Sequence, residues 1–382
     1  MPTVGFAEQT ASYNERSFAD VLDWSQEEEI HCEQYFHLLR LAPGDSFITT
    51  FYQMDTGIFG MYSYDNGETW TGPDTIFGVG PDMYNMTADS NYVYVVARRE
   101  SDYALLSRSA DRGLTWSQPD SIQIGYHHHL THTALCAPKG TTKLYFVYKD
   151  DGLKLLRSFD RGESFEDDPI VIEERDLPSQ GHYVGYSMGR WHAVYSMESP
   201  ITYYVEIYYR YSDDDGETWS EPYKLSFEDS DHGQMPSFSA GENGLLAVSW
   251  FDFRYGSCDG IKGDIIIRTS RDNGNTWEVE ERITDDICSY GNDVFVKDDM
   301  IFVTWAFMFI ENHNREIFCK YSLDGGLTWS EKERISNDPS GSFIPRILAT
   351  SVEQDIDRIH VQWKDERSGD ECIYYSYNDI IT

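Results

Sequence analysis

The chain has no run of 18 apolar residues, and its opening MPTVGFAEQT carries neither a charged n-region nor an h-region. Membrane insertion is therefore not expected, nor is a leader within this sequence. Both a cytoplasmic protein and a secreted one whose leader has been removed fit that reading. Basic residues are scarce: 30 Lys and Arg stand against 66 Asp and Glu, a formal net charge of −36. Nucleic acid is excluded as an expected partner, because its affinity rests on cation–phosphate contacts. The same field opposes long-range capture of an anionic glycan unless a local basic pocket overrides it, and the excess charge is read as a solubility device. The six cysteines (Cys32, Cys136, Cys258, Cys288, Cys319 and Cys372) form no C-x-x-C and occupy no repeated position. They are read as free buried thiols that leave the compartment open. Helical periodicity is missing outside residues 15–30, and no Pro- or Ser-rich linker divides the chain, so an all-β single unit is expected.

What the chain has in abundance is one eight-residue phrase. It occurs as SYDNGETW (63–70), SADRGLTW (109–116), SFDRGESF (158–165), SDDDGETW (212–219), SRDNGNTW (270–277) and SLDGGLTW (322–329). Successive copies start 46, 49, 54, 58 and 52 residues apart, the mark of one repeated structural unit. Strand-like runs flank each copy, so the phrase reads as a hairpin turn. The glycine takes positive φ, the aspartate accepts hydrogen bonds from its own turn, and the final Trp or Phe lies between neighbouring units. A calcium loop would need an acidic twelfth ligand and flanking helices, which these boxes lack.

The phrase identifies the chain as resembling the Asp-box or BNR-repeat propellers, and within them the sialidase-like group, over about residues 24–379. Between boxes lie runs such as NYVYVVARR (91–99), LLAVSWF (245–251) and IFVTWAF (301–307), which gives four strands per repeat, one propeller blade. The two ends complete each other. CIYYSYND (372–379) is a third strand with half a box, and DWSQEEEI (23–30) matches a box tail with a fourth strand. The expected fold is thus all-β: a seven-bladed β-propeller over residues 23–382, four antiparallel strands per blade, the last blade closed by an N-terminal strand. Residues 1–22 form an N-terminal arm. Sialidases typically have six blades.

The resemblance puts a working face opposite the boxes, where the loops between second and third strands and between blades lie. Blade-entry loops gather Tyr126-His127-His128-His129, Gln180-Gly-His182-Tyr183 and Asp231-His232-Gly-Gln234. Such a His/Tyr cluster can serve proton transfer, stack on sugars or ligate zinc; no H-E-x-x-H supports the metal, so no metal or cofactor is expected. W-x-D-x-R occurs twice, as Trp250-Phe-Asp252-Phe-Arg254 and Trp363-Lys-Asp365-Glu-Arg367. It reads either as a carboxylate clamp for a ligand or as an ion pair inherited with the repeat. The resemblance implies a glycan or polysaccharide partner. A sialidase would need three arginines on one carboxylate, a Tyr–Glu nucleophile pair and an Asp acid/base. The family's F/Y-R-I-P motif is missing, and Ser342-Phe-Ile-Pro-Arg346 has a permuted order in the last blade.

The candidate catalytic residues are His128, His182, Tyr183, His232, Arg254, Glu198 and Asp252, with Arg99, Tyr290 and Arg367 as candidate substrate contacts. The expected function is glycan recognition with glycoside hydrolysis on that face. The alternatives are a His/Tyr-dependent uronate lyase and a non-catalytic scaffold that binds a protein or glycan.

Overall fold

The computed structural model describes residues 24–33, 38–44, 47–78, 80, 82–100, 103–124, 133–175, 181–227, 232–256, 258, 263–285 and 288–381. The arm expected over residues 1–22 lies outside that set. The described residues form seven four-stranded antiparallel sheets and no helix. Six sheets use four consecutive strands. The seventh takes Ser342–Glu353, Ile356–Asp365 and Glu371–Ile381 from the C-terminal end, and its outer edge is the N-terminal strand Glu28–Glu33. This is the split blade that the terminal sequences predict. The innermost strands are Leu38–Pro43, Asp82–Asp89, Thr133–Cys136, His182–Ser187, Gly233–Ala240, Ser289–Lys297 and Ser342–Glu353. Each packs on the next and the last on the first, so the ring is closed.

The boxes are self-contained turns. In the fourth, the Ser212 hydroxyl donates to Asp214 Oδ1 at 2.7 Å and accepts from the Gly216 amide at 2.8 Å. The Thr218 amide and hydroxyl donate to the two carboxylate oxygens at 2.9 and 2.6 Å. The Thr218 and Ser212 donors hold the Asp214 carboxyl down at about 2, because each bond favours the charged form. Residues before the glycine also take positive φ, for example Asn66 at 56° and Asp215 at 58°. Two successive left-handed residues make the tight reversal that a hairpin requires.

The glycine has a second reason to be there. A Cβ added at Gly274 would lie 1.9 Å from the Tyr209 hydroxyl of the preceding blade, and one at Gly67 would lie 1.8 Å from that of Tyr375. Gly113 meets the Tyr62 ring in the same way at 2.0 Å. A tyrosine on the third strand of one blade thus seats on the box of the next. Behind two of these tyrosines stands a buried histidine. His192 Nδ1 is 2.8 Å from the Tyr209 hydroxyl, and His360 Nδ1 is 2.6 Å from that of Tyr375.

Apolar clusters fill the space between every pair of neighbouring blades. Their centres are aromatic residues of the second strands, among them Tyr148, Tyr195, Trp250, Trp305 and Trp363. Among the described residues the closing interface has the smallest such core, with only Tyr52, Met61 and Ile373 fully buried. Polar and covalent ties supplement it. Arg358 reaches from the last blade to Glu68 of the first box at 2.6 Å and to Asp379 at 2.5 Å. Cys32 and Cys372, cross-strand neighbours in the split blade, form a disulfide, and Cys258–Cys288 forms a second. The expectation of six free thiols is therefore corrected: four cysteines are paired, and only Cys136 and Cys319 are free. Their lack of a repeated position follows from their task. The first bridge joins the two chain ends, which occurs once in the ring, and the second ties the loop after Asp252 to the entry of the next blade.

Three outcomes follow from these contacts. Gly274→Ala should lose about 3 kcal/mol in urea unfolding, through overpacking against Tyr209 and a left-handed backbone. Replacing both Cys32 and Cys372 by serine should cost about 2–5 kcal/mol and make thermal unfolding begin at the split blade, as read by amide exchange in Glu28–Glu33. The third outcome concerns pH. Burial pushes the His192 imidazole down to about 3 and that of His360 well below its ordinary value. Each stays neutral in the fold while the unfolded chain takes up a proton below about pH 6.5. Stability should thus be full above that pH and fall by up to ~1.4 kcal/mol per pH unit per histidine as the pH drops toward 3. His192→Gln should flatten this slope in unfolding measured between pH 7 and 5.

Candidate functional site

Backbone bonds fix which end of the ring is which. Box amides donate to the turns between first and second strands, as in Arg112 to Asn91 at 2.9 Å, Asn273 to Gly244 at 3.0 Å and Gly325 to Asp299 at 2.7 Å. The boxes and those turns share one end, so the loops after the second strands and the blade-entry loops share the other.

The sequence-predicted residues spread over that second end. His128 lies outside the described residues. Arg99 is in the strand Tyr92–Glu100 with its side chain outside the described set. His182 and Tyr183 open the inner strand of the fourth blade, the first buried and the second half-buried. Glu198 ends the neighbouring strand, exposed. His232 sits at the entry of the fifth blade. Its Nδ1 accepts the Val205 amide at 2.9 Å, its ring meets Tyr204 edge-on at 4.8 Å, and its carbonyl accepts the Phe253 amide at 3.3 Å. This brings His232 beside Asp252 and Arg254. Tyr290 is on the inner strand of the sixth blade, its phenol pushed up to about 12 by burial.

Both W-x-D-x-R copies make the same clamp. Asp252 accepts Arg254 Nε at 2.9 Å and Nη2 at 2.5 Å, the Arg254 amide at 3.0 Å and the Trp250 indole at 3.2 Å. Asp365 accepts Arg367 Nε at 2.9 Å and Nη2 at 2.8 Å, with the Trp363 indole at 3.0 Å. Each guanidinium takes a further carboxylate from a neighbouring segment: Glu280 at 2.7 Å for Arg254, and Glu27 for Arg367. The geometry is that of a repeat-borne brace that ties each second strand to the loop that follows it.

Around Arg254 the surface is aromatic. Phe227 and Tyr255 are 65% and 47% exposed, and the Arg254 guanidinium lies 6.0 and 5.7 Å from their ring centres. Arg282, paired with Asp264 at 2.7 Å, stacks on the other side of Tyr255 at 4.3 Å. Tyr203, 77% exposed at a φ of 64°, stands on the adjacent loop of the fourth blade. A left-handed conformation is uncommon for an aromatic residue. The loop is held by Ser199, whose carbonyl accepts the Tyr203 amide at 3.0 Å and whose amide donates to Tyr204 at 2.8 Å.

A second group appears only when the strands are registered. On each inner strand, one residue pairs with the position just before the second-strand aromatic or its equivalent. Around the ring these are Arg40, Asn85, Ala134, Tyr183, Ser237, Asp293 and Arg346. They form one level of the axial channel. Asp293 ties three blades: it accepts the Ser237 hydroxyl at 2.9 Å on one oxygen and the Ile347 amide at 3.1 Å on the other. Enclosure, and next the Arg346 charge, push the Arg40 guanidinium down to about 10, while Tyr183 and Asp293 act in the opposite sense. Sequence reading found Tyr183 here but missed Arg40, Asp293 and Arg346. The repeats had to be staggered on the second-strand aromatic to show them.

The BNR/Asp-box repeat family matches residues 210–221, the fourth box with its flanks. With seven closed blades and six boxes on the page, that match decides the family. The chain is an Asp-box propeller with the sialidase-like fold. No curated protein matches this propeller in sequence. Among solved structures it is similar to a polysaccharide lyase, an ulvan lyase bound to -[GlcA(1-4)Rha3S]-, with TM-score 0.63, 12% identity, and 88% and 90% of the two chains covered. It is similar to YCF48 bound to a D1 peptide, with TM-score 0.55, 15% identity, and 94% and 96% covered. A third is the α-L-arabinofuranosidase arb93a of Fusarium graminearum, with TM-score 0.51, 12% identity, and 75% and 89% covered. At these identities the likeness of the Asp-box propeller to its neighbours is one of fold.

Proposed function

We propose that this Asp-box propeller recognises glycans on the end opposite its boxes, at the boundary of the fourth and fifth blades. One observation carries the reading: Tyr203, Phe227 and Tyr255 expose aromatic surface side by side, and Arg254 and Arg282 brace two of the rings. Exposed aromatic rings held in fixed planes offer flat apolar faces to the C–H face of a sugar, with little ordering cost on binding. Glu280, Asp252 and His232 surround them with groups that bond sugar hydroxyls. The cations of this patch are matched by carboxylates, so the platform suits an uncharged ring of a polysaccharide.

The solved neighbours include proteins named for acting on carbohydrate, and this supports the same class of partner here. Recognition is favoured over cleavage because Asp252, Arg254 and Arg367 are engaged in braces, which leaves them as positioning groups. His182, Tyr183, Glu198, Tyr290 and, if a chain extends along the face, His128 and Arg99 remain the proposed further contacts.

The test is binding of neutral and uronate-containing oligosaccharides by calorimetry, with product release monitored in parallel. Tyr255→Ala and Phe227→Ala should each weaken binding about 3- to 10-fold, while Leu114→Ala at the box end should not. Failure of every oligosaccharide to bind the unmodified protein, or equal binding by the Tyr255→Ala and Phe227→Ala variants, would overturn the proposal. Released reducing sugar or new absorbance from an unsaturated uronate would add cleavage to recognition.

A further inference from the structure

We propose that the axial channel holds an anion site at Arg40 and Arg346, suited to a carboxylate or a sulfate group. The ligand class follows from what stands at that one level of the ring. Two of the seven residues are arginines, on the inner strands of the first and seventh blades, which are neighbours across the closing interface. One is a carboxylate, Asp293, and its two oxygens are engaged by Ser237 and the Ile347 amide. The remaining four, Asn85, Ala134, Tyr183 and Ser237, carry no charge at neutral pH. The level therefore brings two guanidiniums and one carboxylate into a shared space, and all three are half-buried rather than sealed in the core.

Like charges held together in a partly enclosed space raise each other's free energy, and the depressed Arg40 value is the expected sign of it. An anion between them removes that cost. Guanidinium is the better cation for the purpose, because its planar fork meets the oxygens of a carboxylate or sulfate pairwise. Tyr183 stands on the far side of the ring yet acts electrostatically on Arg40, so its hydroxyl belongs to the same space and offers a further donor. The rest of the molecule works against such a ligand, with 36 excess negative charges. Binding must then come from short-range contacts, and screening of the outer field by salt should assist entry rather than oppose it.

The decisive experiment uses anions without a platform ligand, so its outcome is separate from that of the glycan reading. The intact protein is titrated with sodium sulfate and, in a second arm, with sodium D-glucuronate, at ionic strength held constant with sodium chloride. Thermal shift and calorimetry are the readouts. A saturable rise in Tm with either anion, not reproduced by chloride alone, is the expected result. Arg346→Gln and Arg40→Gln should each weaken that binding at least about tenfold, and Arg346→Lys should retain more of it than Arg346→Gln. Should Arg40→Gln fail to fold, the two Arg346 variants carry the comparison, with circular dichroism to confirm that they are folded. A response to sulfate and glucuronate no larger than that to chloride, or one undiminished in folded Arg346→Gln, would overturn the proposal.

Discussion

The ring depends on how closely one blade seats on the next. A tyrosine hydroxyl of one blade occupies the place where a Cβ of the following box would be, at Gly67 and Gly274 within 2 Å. The box glycine is therefore both the hinge of a left-handed turn and the seat for a neighbour. His192 and His360, themselves buried, hold two of those tyrosines from behind. Because the fit is set at the box end, blade-to-blade rotation is fixed there, and the inner strands come into line at one common level. The position of every group on the opposite end is inherited from that alignment.

The parts of this architecture that repeat were legible in the sequence. A phrase with Gly, Asp and Trp at constant offsets reveals turns, period and blade number, and the matched ends DWSQEEEI and CIYYSYND reveal the shared blade. Features that occur once were hidden. Cys32 and Cys372 are 340 residues apart and become neighbours only after the split blade is put in register. Arg40, Asp293 and Arg346 share a level of the channel but no surrounding motif, since the residues beside them serve different interfaces. W-x-D-x-R shows the converse: it was readable because it recurs, and it recurs because it braces the scaffold.

The charge of the molecule takes on a definite layout. Arg157, Arg254, Arg358 and Arg367 each bond two carboxylates. Much of the small cationic complement is thus consumed in holding strands and loops, and the acidic excess is left facing water. Against that background two guanidiniums on the axis are conspicuous, as are three aromatic rings on an otherwise polar rim. One lies on the symmetry axis of the ring and the other at a blade boundary, so they sample different chemistry of the same face.

The bridge between Cys32 and Cys372 also changes what kind of object the polypeptide is. It joins residues near both ends of the described chain, so that the backbone between them is a closed covalent loop of seven blades. A single cut in any surface turn of that loop would open it without releasing a fragment; the product would be the same ring with its ends moved to another blade. Position along the sequence then loses its meaning for the fold, and the order of blades around the axis is the only address that remains.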